Sequence, residues 1–432
     1  MRIQRHSEQG SILAIMLIMT TLIGLMLAAY LTLVGSQNKF TQRSQVWNNA
    51  IPVCEAGVEE ALAHINYSGT TSDFGINGWR LANGFYVKNR TNEDVRYEMS
   101  ISTEVQPTIT VNGYVRAPVQ ANYIGRSVRV KTKINRRFPQ AVLAKGSITI
   151  GGSGKIDSFD STNSAYSSPT GQYDPTKAHD AATIATLSKT AGALNVGNAS
   201  VYGKVATGPG GTVTVGNGSV GSQPWVDDSA DKGKIQPGYV TDDMNVYIPD
   251  AKMPDGFVYG MAPVLNPLGT IIGGITYKYV LTDGDWEVNA ISMSSSEKIL
   301  ISGKARLRVK GNINMTGQST IQIADGASLE MYVVGTAAIG GGGVMNVPGQ
   351  AKNFSLYGLP TCTAISYAGN SAFIGTIYAP QASVGLTGTS DAMGAFVAKD
   401  MTLSGGMGIH YDEALRGNPK EGRYLVASWQ EI

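Results

Sequence analysis

The polar residues with the most suggestive order are His410, Tyr411, Asp412 and Glu413. On an extended strand His410 and Asp412 point the same way. A histidine beside a carboxylate is the minimum for acid–base exchange near neutral pH. The same residues could instead close the last coil of a repetitive β stack, whose ends need polar covers against edge-to-edge association. The capping role is the one expected. Enzymatic β stacks that cut polysaccharide need clustered carboxylates for Ca²⁺ and a cationic base. Asp157, Asp160, Asp325, Glu330, Asp391 and Asp400 are instead scattered along the chain.

Other chemistries find still less. Gly340 to Gly343 has no Lys-Ser after it, so it reads as turn chemistry rather than a phosphate cradle. There is no nucleophile elbow and no metalloprotease helix. Two cysteines cannot make a disulfide framework, and with four histidines a structural zinc site is not expected. Cys54 and Cys362 could pair in an oxidising compartment. No catalytic residue, cofactor or metal is assigned, and the chain is not expected to be an enzyme.

The elements that must carry these residues fall into distinct regions. Of 432 residues only 15% are charged, while glycine numbers 53, a pattern typical of exposed β proteins with Ser, Thr and Asn surfaces. The net charge of +2 creates no global field toward a polyanion. From Ile12 to Val34 the chain is apolar and uncharged, long enough as a helix to cross a hydrocarbon core. Arg2, Arg5 and His6 precede it, consistent with a cytoplasmic N-terminus. A cleavable signal would have a shorter apolar core and an A-x-A-like exit, which Gly35-Ser36-Gln37-Asn38 does not offer. Trp47, Ile51, Cys54, Val58, Leu62 and Ile65 continue one apolar helical stripe, with Pro52 expected to kink it. Residues 11–66 are therefore expected to be one helix, first in lipid and then amphipathic.

The leader Glu8-Gln9-Gly10, followed directly by this helix, resembles type IV pilins and pseudopilins. The stretch from Cys54 to Leu62, with Glu55, Gly57, Glu59 and Glu60, is similar to the helix signature of PilX-type pilus-assembly proteins. The resemblance implies cleavage by a prepilin peptidase between Gly10 and Ser11. It also implies partnership with other pilin or pseudopilin subunits and their assembly machinery. The sequence departs from the pilin pattern at one key place: the fifth mature position, normally glutamate, is Ile15. A plain membrane anchor with a leader-like prefix remains open.

Beyond Tyr97 the period becomes two. Val128, Val130 and Ile134 fall on one face of a strand and Arg129, Lys131 and Lys133 on the other. No aromatics interleave with these cations, so the face is expected to be solvated and nucleic acid is not expected as a partner. After Leu143, short aliphatic pieces recur about every 8–10 residues between Gly, Asn and Ser turns. This favours a parallel β-solenoid; a β-sandwich is the alternative. The motifs Tyr357-Gly358-Leu359-Pro360, Ile377-Tyr378-Ala379-Pro380 and His410 to Leu415 resemble an uncharacterised β-helical domain that follows PilX-type N-termini in bacterial envelope proteins.

The expected organisation is thus a leader (1–10), a transmembrane and amphipathic helix (11–66), a small β region (67–142), a solenoid (143–415) and a tail (416–432). Residues 222–297 are expected to interrupt the solenoid. The function expected is a minor pilin-like or pseudopilin-like structural protein, single-pass in a bacterial inner membrane, with its C-terminal part periplasmic or extracellular. The alternative is an anchored adhesin or glycan-binding module.

Overall fold

A computed structural model describes residues 9–68, 74–117, 122–135, 137–263, 269–388, 390–417 and 423–432. The chain divides into two compact units, Met1–Arg136 with Pro419–Ile432, and Arg137–Asn418. The second is therefore inserted into the sequence of the first.

The first unit is built on one helix, α1, Gln9–Ser68, about 90 Å long at 1.5 Å per residue. It is long and apolar enough to cross a membrane. It runs through Pro52, which sits on an exposed side. Proline has no N–H to give the Asn48 carbonyl, and Asn48 is itself exposed. The helix packs on a sheet in the order Arg80–Ala82, Phe85–Thr91, Val95–Ser102, Thr108–Arg116, Tyr123–Asn135 and Arg423–Glu431, all antiparallel. The last of these strands lies in the segment delimited as a tail. Met99, Ile101, Ile109, Val111, Val128 and Val130 point at the helix, while Arg129, Lys131 and Lys133 are exposed.

The second unit is a parallel β-solenoid, so the sandwich alternative is overturned: its pairing would have been antiparallel. Each coil presents up to three short strands. The first coil holds Tyr279–Leu281, Gly284–Val288 and Ile291–Met293. Successive coils stack on it in chain order up to Phe373–Thr387 and then Ala392–Ser404. The repeat therefore resumes at Tyr279, inside the stretch expected to interrupt it.

The stack then does something local periodicity does not announce. The next layer is composite. One side is Ile409–Asp412. The other two, Val142–Ala144 and Ile148–Ile150, come from the start of the unit. From there the stack continues through Lys155–Phe159, Ala182–Thr186 and Leu194–Gly197 to Ser219–Gly221 and Val240–Thr241. Residues 242–263 lie along the stack and reach its first coil. Tyr378 donates to the Pro249 carbonyl at 2.6 Å and Gln381 to Asp250 at 2.7 Å, and the Asp285 carboxylate accepts from Val258 N–H at 2.8 Å.

One inward column shows why the whole holds together. Trp286, Leu307, Met331, Leu356, Ile377, Phe396, Val142, Ile184 and Val205 stack in register. Strand alternation sends these side chains inward, and each coil buries the apolar face of the next. On the outer side Asp285 stacks against Arg306, and Glu287 against Arg308, in charge-paired rungs.

Candidate functional site

Two polar constellations are positioned by these elements. The first lies where α1 meets its sheet. Gly57 and Gly113 allow the close approach. A Cβ on Gly57 would lie 2.6 Å from Val111 Cγ1, and one on Gly113 would meet Cys54 Sγ at 2.8 Å and its backbone nitrogen at 3.0 Å. The buried helix face includes Val46, Ala50 and Ala61 beside Cys54, Val58 and Ile65, whereas Trp47 is largely exposed. Small residues were missed by the hydrophobic stripe because at so short a helix–sheet distance little volume is needed.

Of the motif carboxylates, Glu55 and Glu59 are exposed and Glu60 faces the sheet. Glu60 meets Lys88 at 2.9 Å and Arg90 at 3.0 Å, and accepts from the Tyr97 hydroxyl at 3.0 Å. Burial alone would raise its pKa. The hydrogen bonds from Arg90, Lys88 and Tyr97 outweigh burial and hold it down at about 2. Gly10 and Ser11 fall in the first turn of α1; the leader before Gln9 lies outside the described residues.

The second constellation centres on His410. Expected at a terminal coil, it lies instead inside the stack, because Lys155–Phe159 pairs over Ile409–Asp412. His410 and Asp157 are 3% and 1% exposed, which removes them from any solvent-borne substrate. His410 Nδ1 is 2.5 Å from Asp157 Oδ1, and Nε2 faces Asp391 Oδ2 at 3.3 Å. Tyr173 stacks on the imidazole at 3.7 Å between centroids and donates to Asp157 at 2.8 Å. Lys155 Nζ lies 2.9 Å from the same carboxylate. Burial opposes the charged imidazole, but Asp157 and Asp391 prevail and raise the His410 pKa above its ordinary value. The contact with His410 in turn lowers Asp391.

Asp412 does not join His410. Its carboxylate accepts from the N–H groups of Ser161 and Ala414, both at 3.1 Å, while Glu413 pairs with His179 at 3.1 Å. Tyr411 donates to the Phe138 carbonyl at 2.8 Å. Of the scattered carboxylates, Asp157 and Asp391 converge on His410 and Asp400 accepts from Ser147. Glu330 accepts from Tyr332 and Asp160 binds its own turn. Among the described residues no group of three or more metal-ligating side chains forms a metal site. Cys54 and Cys362 are both free and buried, each in its own unit.

Residues 279–418 match the family described as a domain of unknown function, DUF7305. The match begins at the first coil and ends just after the His410 strand. No curated protein matches the chain. Among solved structures, the competence-associated pilin ComZ from Thermus thermophilus is similar at 13% identity, over 90% of this chain and 97% of that one, with a TM-score of 0.27. At that score the likeness decides nothing about the fold.

Proposed function

We propose that this chain is a minor pilin-like structural protein, anchored by α1 in a bacterial inner membrane and displaying its β-solenoid outside the cytoplasm. The observation that carries this is the division of α1. From Ile12 to Thr32 every residue is exposed, while from Val46 to Ile65 one side is buried on the sheet. A helix half that finds no cover in its own chain must be covered by lipid or by other subunits. The leader ending at Gly10 and the motif around Glu60 add the pilin-like character. In the second constellation His410 and Asp157 are buried, and no reaction is assigned to it.

Intact-mass measurement of the protein from its native membrane is the test. Loss of the first ten residues, leaving Ser11 at the N-terminus, is expected. A chain still beginning at Met1 would reduce the role to plain anchoring.

A glycan-binding role is the second candidate. It draws support from an open groove of about 610 Å³ between the 160–181 loop and the coil turns, lined by Gln172, Lys304, Asp325 and Gln350 together with Val347 and Pro348. Binding of the full-length protein to a glycan array, lost on Lys304→Ala, would favour it.

A further inference from the structure

Within each half of the solenoid, one coil runs covalently into the next. At the composite layer the chain from below supplies only Ile409–Asp412, while Val142–Ala144 and Ile148–Ile150 come from the separate start of the unit. The chain comes into the unit at Arg137 and leaves it at Asn418, and its first strand, Val142–Ala144, and its last, Ile409–Asp412, lie mid-stack. The upper half, 142–241, therefore rests on the lower half, 279–412, with no coil-to-coil connection across the seam. Inside the unit the chain joins the two halves only through the long segment 242–278. The family match to 279–418 follows the lower half and stops at this seam.

A seam without a short connection must be held by its own contacts, since closing a long loop does little to fix position. The apolar columns cross it, with Phe396 on Val142, Leu403 on Ile150 and Ile409 on Ile156. Apolar contact is non-directional and tolerates slippage of parallel strands. Directional polar pairs cross as well. Asp400 accepts from Ser147 N–H at 2.8 Å and Asp412 from Ser161 N–H at 3.1 Å. The most buried pair is His410 with Asp157.

We propose that the imidazolium of His410, held between Asp157 above the seam and Asp391 below it, is a proton-dependent latch that fixes the register of the two half-stacks. Only the imidazolium is positively charged: Nδ1 hydrogen-bonds Asp157, and Nε2 lies 3.3 Å from Asp391 as a charge contact that is not a hydrogen bond, so the neutral ring loses the attraction to both carboxylates. Loss of the proton also leaves Asp157 and Asp391 on the two sides of an uncharged ring, with Lys155 2.9 Å from Asp157. The charged and titratable groups around the latch come from both sides of the seam. Lys155 and Asp157 come from the strand above, Asp391 from the coil below, and Tyr173 and Asp174 from the 160–181 loop. Tyr202, whose hydroxyl donates to Asp227, adds to the upper side, and Asp412, on the latch's own strand, is bound to backbone N–H groups.

The sign of the pH effect follows. The folded pKa of His410 is raised, so the latch contributes fully below the ordinary histidine range near 6.5. It is lost as pH rises through the folded value. Raising the pH through that value should therefore open the seam before it touches the inner coils.

Hydrogen–deuterium exchange on the full-length protein in detergent, from about pH 6 to about pH 9 with exchange times scaled for intrinsic chemistry, tests this. Amides of Lys155–Phe159 and Ile409–Asp412 should lose protection at least about tenfold, a cost of about 1.4 kcal/mol, across the His410 titration. Those of Lys304–Val309 and Ser328–Val333 should not. His410→Gln should show weak seam protection at every pH and no step. Asp391→Asn should move the step to lower pH, and it carries the test if His410→Gln does not fold. Seam strands as protected as inner coils at high pH would overturn the proposal. So would a step that persists in His410→Gln, or one that stays in place in Asp391→Asn.

Discussion

Substituting Glu60→Gln should loosen α1 from its sheet without unfolding the solenoid. Glu60 is the carboxylate on the buried side of the helix motif, and it gathers Lys88, Arg90 and Tyr97. Its pKa falls from 4.5 in an unperturbed chain to about 2. At about 1.4 kcal/mol per unit that difference would amount to about 3 kcal/mol. The Glu60 side chain is 22% exposed and that of Arg90 55%, so solvent screening reduces the value to about 2 kcal/mol. Glutamine keeps the shape and one acceptor but loses the charge. Exchange protection in the Cys54–Ser68 part of α1 and in Phe85–Thr91 should then fall about 30-fold at neutral pH. The pH dependence has a definite sign. A depressed carboxylate pKa contributes stability above about pH 4.5, and that contribution disappears as pH falls toward about 2. Wild-type protection should decline in that window and the variant's should not. A double-mutant cycle with Lys88→Ala completes the test, since the two changes should be strongly non-additive. Protection in Glu60→Gln within about twofold of wild type, or additive losses, would refute the clamp.

Phe396→Ala should cost about 3–5 kcal/mol, because Phe396 is fully buried in the column between Ile377 and Val142 and packs on Phe373. Thermal unfolding of the full-length protein should show this, with protection lost first across 142–150. If the chain joins filaments, the absence of any acidic residue from Ser11 to Val53 limits it to few copies, since a buried unpaired N-terminal charge costs several kcal/mol. Quantitative mass spectrometry of sheared filaments should find it far below the major subunit; comparable abundance, with Ile15→Glu changing little, would contradict this.

Much of the fold is written locally. An uncharged run from Ile12 to Val34 can be little other than a membrane-length helix, since no neighbour is needed to make it apolar. Alternation at Met99 and Ile101, or at Leu307 and Val309, assigns strand faces because successive side chains point to opposite sides. Glycine-punctuated aliphatic pieces signal a stack, since a single coil cannot bury its own face. Tertiary structure alone decided which coil lies on which. Asp157 and His410 stand 253 residues apart, and nothing within either strand distinguishes a face turned to solvent from one covered by another coil. The His410 motif therefore looks like a terminal cap in sequence and becomes a buried ion pair in space. Likewise Glu55, Glu59 and Glu60 are the same residue type within one helical turn and a half. Only the packing of α1 against Lys88, Arg90 and Tyr97 made Glu60 the clamp, because a charge is held where opposite charges and donors surround it.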